Sequence, residues 1–66
     1  MFMQNARQRG EFHEHELVMW HYHDGKHHIP IPGVVVRQEP QWVVIRARFE
    51  GAIKEVRVDP EQLVAR

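Results

Sequence analysis

Two glycine-containing dipeptides constrain this chain most, because each follows a stretch that ends in alternating apolar and polar residues. Asp24-Gly25 follows one such stretch at residues 15–23, and Glu50-Gly51 follows another at residues 42–49. Alternation with a period of two is the pattern of a half-buried strand. Dipeptides of this kind supply the positive φ angles of a tight hairpin turn. The sequence therefore predicts two β-hairpins.

The position of its turn predicts the register of the second hairpin. With Glu50-Gly51 as the two turn residues, three pairs lie opposite each other: Ile45 with Val56, Val43 with Val58, and Arg46 with Glu55. The first two pairs are apolar and suit a core, whereas the third is a favourable charged pair for an exposed face. Both faces of the predicted hairpin therefore make chemical sense.

The first hairpin gathers histidines on one face. A tight turn at Asp24-Gly25 pairs residues whose numbers sum to 49, which places His28 opposite His21 and diagonal to His23. The other face of this hairpin is apolar and predicts a core surface made by Val18, Trp20, Tyr22, Ile29 and Ile31. Leu17 and Met19 fall on the histidine face and are candidates for an interface, or for scattered exposure.

Two segments end the regular pattern. Pro30 and Pro32 cannot donate to a ladder, so we expect the strand to end there at an edge, a bulge or a corner, and a third strand to run over residues 34–37. Asp59 followed by Pro60 is a helical start signal. It predicts one 3-10 turn that inserts Leu63 into the core, with residues 64–66 as a candidate final strand.

These elements predict an all-β fold, a small barrel of about five antiparallel strands with a 3-10 turn near the C-terminus. The segments at residues 33–36, 43–46 and 56–63 resemble those of the SH3-like superfold, which includes Tudor-type and KOW-type domains. The resemblance covers residues 15–66 and implies an SH3-like barrel there. Residues 1–11 are polar, contain Gly10 and show no clear period, so we expect residues 1–14 to form a flexible N-terminal arm. Residues 55–63 are similar to the end of the carbon storage regulator family, small RNA-binding β dimers, which implies an RNA-binding regulator as an alternative.

Composition narrows the function classes. The 66 residues contain no cysteine, serine or threonine, so the usual covalent nucleophiles are missing and we expect a non-catalytic module. Nine acidic side chains balance nine basic ones, so the chain has no net charge that would attract nucleic acid or an anionic membrane. No apolar run is long enough to cross a bilayer, and we expect no membrane partner and a cytoplasmic location.

Histidines are the first candidate ligands. All six lie between His13 and His28, and each of the pairs His13/His15 and His21/His23 has the His-x-His spacing that puts both rings on one face of a strand. His21, His23 and His28, with His15, are candidate ligands for zinc or nickel. The alternative is the solvated face of a hairpin. Clustered histidines also repel once protonated, so a pH-responsive protein is a related hypothesis.

A second constellation combines arginines with an aromatic ring. The candidate residues for a nucleic-acid or partner face are Arg37, Trp42, Arg46, Arg48 and Arg57. Arginines beside a stacking ring are typical of small barrels that bind RNA or single-stranded DNA. Glutamates among them equally indicate a solvated, charge-paired face. The sequence thus predicts a non-enzymatic interaction module whose partner is a protein, a second copy of the chain, or nucleic acid.

Overall fold

The computed structural model describes residues 12–66, which form a single antiparallel sheet and one 3-10 turn. The elements in chain order are β1 (Leu17–Asp24), β2 (His27–Gln38), β3 (Val43–Phe49), β4 (Ala52–Val58), the 3-10 turn (Pro60–Gln62) and β5 (Leu63–Ala65). The strand order across the sheet is β4-β3-β2-β1-β5. The predicted all-β class, five antiparallel strands and C-terminal 3-10 turn are confirmed.

Closure into a barrel is not observed, and that part of the prediction is wrong. β4 and β5 lie at opposite edges of the sheet, and β4 pairs only with β3 while β5 pairs only with β1. β5 is three residues long, so it offers few hydrogen-bonding groups for closing the sheet. The sheet is therefore open: one of its faces carries the core side chains, and the other faces solvent.

The β3–β4 hairpin has the predicted register. Ile45 pairs with Val56, Val43 with Val58 and Arg46 with Glu55. Glu50 and Gly51 have φ angles of 55° and 83°, the two positive values that a type I′ turn requires. The turn residues and the alternation of the strands indicate the same register, which is why this register could be predicted from the sequence.

The β1–β2 hairpin has a different register from the predicted one. His23 lies opposite His28 and Asp24 opposite His27, so paired numbers sum to 51 and the turn residues are Gly25 and Lys26. Only Gly25 has a positive φ, as in a type II′ turn. Asp24 therefore belongs to the strand, and the prediction that placed it in the turn is wrong.

The two prolines lie inside a strand, contrary to the prediction that they end one. β2 continues through Pro30 and Pro32, which pair with His21 and Met19 of β1. Pairing of β2 with β3 begins only at Gly33, so neither proline removes a hydrogen bond from that ladder. The predicted second and third strands are one strand, bent by a bulge between Val35 and Arg37.

The core lies on one face of this sheet. Its buried members are Phe12, Val18, Trp20, Ile31, Val35, Val43, Ile45, Ala47, Val58 and Leu63. Gly33 lets β3 approach β2 closely, because a Cβ there would lie 3.1 Å from Cδ1 of Ile45 and 3.2 Å from the carbonyl oxygen of Arg46. The face assignments made from alternation hold for most of these residues.

Residues near both ends of the described segment pack into the core. Phe12 is 3% exposed and its N–H donates to Oε1 of Gln38, so packing begins three residues before the predicted start of the domain. Residues 1–11, the rest of the predicted arm, lie outside the described residues. At the other end Oδ1 of Asp59 accepts from the N–H of Glu61, which caps the 3-10 turn as predicted, and Leu63 is buried.

Candidate interaction face

The face of the sheet opposite the core, called the outer face below, carries most of the candidate functional residues. Strand alternation and the observed registers place three groups side by side on it. An arginine network lies on the end of β2, on β3 and on β4. An apolar patch lies across β5, β1 and β2. A histidine patch lies at the turn end of the β1–β2 hairpin.

The arginine network consists of Arg37, Glu39, Arg46, Glu55 and Arg57. The two carboxylate oxygens of Glu39 accept separately from Nε of Arg37 and Nε of Arg57, each at 3.0 Å. Arg46 donates to Glu55 across the β3–β4 ladder, also at 3.0 Å. Three of the five residues predicted as a nucleic-acid or partner face are therefore held by glutamates of the same chain.

The network also covers an apolar side chain on the outer face. Val44 pairs with Arg37 on one side and Arg57 on the other, and both arginines are tied to Glu39. Val44 is only 3% exposed, although strand alternation places its side chain on the outer face. The stems of long arginine side chains can cover apolar surface while their guanidinium groups stay in water. Much of this network is thus structural.

Glu39 titrates abnormally because of these contacts. Hydrogen bonds from Arg57, and then from Arg37, hold the pKa of Glu39 below its ordinary value of 4.5. A carboxylate with a depressed pKa stabilises the folded state above its unfolded pKa, and this contribution is lost as pH falls through the folded pKa.

We therefore expect the wild-type chain to lose more stability than a Glu39→Gln variant as the pH falls from 6 to 3. Urea unfolding at a series of pH values measures this difference. Glu61→Gln, which removes a carboxylate away from the network, is the matched control and should follow the wild type. Parallel curves for wild type and Glu39→Gln would contradict the role given to Glu39.

The other two predicted face residues lie at the margins of the network. Trp42 is in the turn before β3, where its carbonyl accepts from the N–H of Glu39, and its side chain is 43% exposed. Arg48 lies opposite Ile53 at the end of the outer face and makes no salt bridge with any residue from 12 to 66. The structure engages three of the five residues in ion pairs and places Trp42 and Arg48 at opposite ends of β3, about 20 Å of extended strand apart.

The histidine patch consists of His21, His23 and His28. The rings of His23 and His28 stack with centroids 4.8 Å apart, and those of His21 and His28 stack with centroids 5.0 Å apart. Nδ1 of His21 and Nε2 of His28 are 2.8 Å apart, so one nitrogen donates its proton to the other. His28 is directly opposite His23 and diagonal to His21, the reverse of the predicted arrangement, but all three rings do meet.

His15, the fourth predicted ligand, does not join them. Its backbone N–H donates to the carbonyl of Val35, seven residues along β2 from His28, which corresponds to about 23 Å of extended strand. No group of three or more histidine and carboxylate side chains within residues 12–66 has the geometry of a metal site. The four-histidine arrangement proposed from the sequence is therefore not assembled in the described part of the chain.

The apolar patch consists of Leu17, Met19, Pro32, Val34 and Val64. The ladders make these residues neighbours, since Leu17 pairs with Val34 and Met19 pairs with both Pro32 and Val64. Leu17 is 51% exposed and Val64 is 39% exposed. The sequence pointed to Leu17 and Met19, but the other three were missed because their positions depend on β2 being continuous and on β5 pairing with β1.

A pocket of about 330 Å³ opens at the end of the sheet, between the tips of the two hairpins. Its walls include the aromatic rings of Tyr22 and Phe49, whose centroids are 4.9 Å apart, with Asp24 and Glu50 at the rim. Nζ of Lys54 lies 5.7 Å from the Phe49 centroid and donates to Glu50. The sequence did not predict this pocket, because it depends on how the two hairpins converge.

Two further observations bear on identity. None of the helical structure in residues 12–66 has the length and apolar character needed to span a membrane. Comparison of the chain with protein-family models, with curated protein sequences and with solved structures finds no match in any of the three. Only the chain's own surfaces therefore indicate its function.

Proposed function

We propose that this chain is a non-catalytic interaction module that associates with a second copy of itself through the apolar patch on the outer face. The observation that carries the proposal is the patch itself: five apolar side chains on the neighbouring strands β5, β1 and β2, with Leu17 and Val64 substantially exposed. Contiguous exposed apolar surface with a polar surround is typical of protein interfaces.

The chemistry of the patch suits a second copy. In a two-fold dimer the same surface occurs on both sides, so a charge near the axis would face its own kind. None of the five patch residues is charged, and two copies can therefore meet there without like-charge repulsion. Two open sheets stacked through their outer faces would form a sandwich with a second apolar layer.

The small size of the chain supports the same conclusion. A 66-residue domain without cysteine has no disulfide, and it buries a modest fraction of its surface when it folds alone. Association is one of the few ways in which such a chain gains stability. The lack of serine, threonine and cysteine supports a binding role rather than a covalent catalytic one.

RNA binding is less well supported by the geometry. Arg37, Arg46 and Arg57 each donate to a glutamate of the same chain, so phosphate would have to compete with those carboxylates.

The strand number, the hairpin connections and the 3-10 turn before β5 support a relationship to the SH3-like superfold. The open sheet differs from the closed barrel of that superfold.

A cytoplasmic location stays a prediction.

Sedimentation equilibrium over a range of protein concentrations tests the proposal. We expect the wild-type mass to rise toward two chains, and the Leu17→Ser/Val64→Ser variant to dissociate at least about 100-fold more readily, because each apolar side chain is lost twice per dimer at roughly 1.5–3 kcal/mol. Ile53→Ser is the matched control, since Ile53 is 58% exposed but lies on β4, outside the patch. A single-chain mass for the wild type at millimolar concentration would contradict the proposal.

A further inference from the structure

The histidine patch has a property that the proposed self-association does not use. Nδ1 of His21 and Nε2 of His28 point at each other across 2.8 Å. A hydrogen bond across this distance places one proton between the two nitrogens. A divalent cation can take the place of that proton when the donor ring carries its proton on its other nitrogen and both rings turn slightly. From this geometry we infer that His21 and His28 form a two-nitrogen chelate for a divalent cation that prefers imidazole, such as Zn²⁺.

The spacing of the two nitrogens is close to that of a chelate. Nitrogens bound to one tetrahedral zinc ion at about 2.0–2.1 Å are about 3.3 Å from each other. The observed separation of 2.8 Å is therefore smaller by about 0.5 Å, a difference that small rotations of the two side chains supply. His28 is exposed and His21 is half-buried, so an ion reaches the pair directly from solvent.

The third ring orients the pair. The plane of His23 is within 11° of that of His28 at a centroid distance of 4.8 Å, so His28 is stacked between His23 and His21. Groups that hold a ligand ring in place raise metal affinity even when they do not touch the ion. Because His21 and His28 sit on paired strands, the ladder fixes the distance between their backbones as well.

The ligand chemistry selects the class of ion. Two neutral imidazoles suit zinc, nickel and copper, whereas calcium and magnesium require oxygen ligands. The facing residues on the same outer surface are Pro30, which pairs with His21, and Met19, neither of which is charged. Water would fill the remaining coordination positions, so the site is open and exchanges its ion readily.

Calorimetric titration with Zn²⁺ of the full chain, prepared without a histidine tag, tests this inference. We expect one ion per chain in the wild type and at least about tenfold weaker binding in His21→Gln/His28→Gln, because both chelating nitrogens are removed. His13→Gln/His27→Gln removes the same number of imidazoles elsewhere and is the matched control. It should bind within about twofold of the wild type.

Imidazole ¹⁵N spectra locate the ion without relying on affinity. Zinc should shift Nδ1 of His21 and Nε2 of His28, and leave the ring nitrogens of His13 and His27 in place. Equal weakening in the two double variants, or equal shifts on all six histidines, would overturn the inference in favour of diffuse binding. Thermal melts of the metal-free variants check that the fold is intact. The sedimentation result does not affect this outcome.

Discussion

Replacement of Phe12 by alanine should leave much of the chain unfolded at room temperature. Phe12 is 3% exposed and packs in the core, and truncation of a buried phenylalanine costs about 3–5 kcal/mol. A domain of 66 residues has a total stability of roughly 3–10 kcal/mol. Urea unfolding followed by tryptophan fluorescence measures the loss, because Trp20 lies in the same core.

The matched control for this substitution is Trp42→Ala. Trp42 is also aromatic but is 43% exposed and is not part of the core, so we expect a change within about 1 kcal/mol. An unchanged unfolding midpoint in Phe12→Ala would mean that the folded domain begins after residue 14. That is the boundary predicted from composition.

The second large effect is expected in the β3–β4 hairpin, which contains two isoleucines in opposite environments. Ile45 is fully buried and Ile53 is 58% exposed. Ile45→Ala should lower the free energy of unfolding by about 2–5 kcal/mol, since it removes buried methyl groups and leaves a cavity. Ile53→Ala makes the same chemical change and should cost less than about 1 kcal/mol.

Urea unfolding of the two alanine variants, side by side, also tests the register. A shift of one residue in β3 would expose Ile45, and the same shift in β4 would bury Ile53, so either shift would remove the difference between the two variants. If both variants are destabilised equally, or if Ile53→Ala is the worse, the face assignment of this hairpin is wrong.

The two hairpins show how far turn chemistry alone predicts register. At Glu50-Gly51 both residues adopt positive φ, so the dipeptide and the turn coincide. At Asp24-Gly25 only Gly25 does so, and the turn is displaced by one residue. The displacement changes the sum of paired numbers by two, which leaves every side chain on the same face. Hydrophobic alternation therefore could not distinguish the correct register from the predicted one.

The continuity of β2 was not readable from local sequence. Pro30 and Pro32 are unfavourable in the middle of a sheet, and that rule predicts a break. They are tolerated here because β2 is paired with β3 only from Gly33 onward, a property of the whole topology. The same long-range pairing creates the apolar patch, which combines residues of β1, β2 and β5. Local patterns predicted Leu17 and Met19 but not their neighbours.

The candidate charged sites were predicted as sets of residues but not as contacts. The cross-strand pair Arg46–Glu55 followed directly from the β3–β4 register. The bridging of Arg37 and Arg57 by Glu39 did not, because Glu39 lies in a turn whose path the sequence does not specify. The alternation of the strands predicted that His21, His23 and His28 share one face. The stacking of their rings was not predicted, because it depends on the corrected register.

The central claim, that the apolar patch is where two copies meet, is tested most directly by intermolecular NOEs. In a mixture of ¹³C-labelled and unlabelled chain, isotope-filtered spectra report only contacts between copies. We expect such contacts from the methyl groups of Leu17, Met19, Val34 and Val64, and none from Ile53 on the same face. Intermolecular contacts confined to Ile53 and the arginine network, or no intermolecular contacts at millimolar concentration, would contradict the claim.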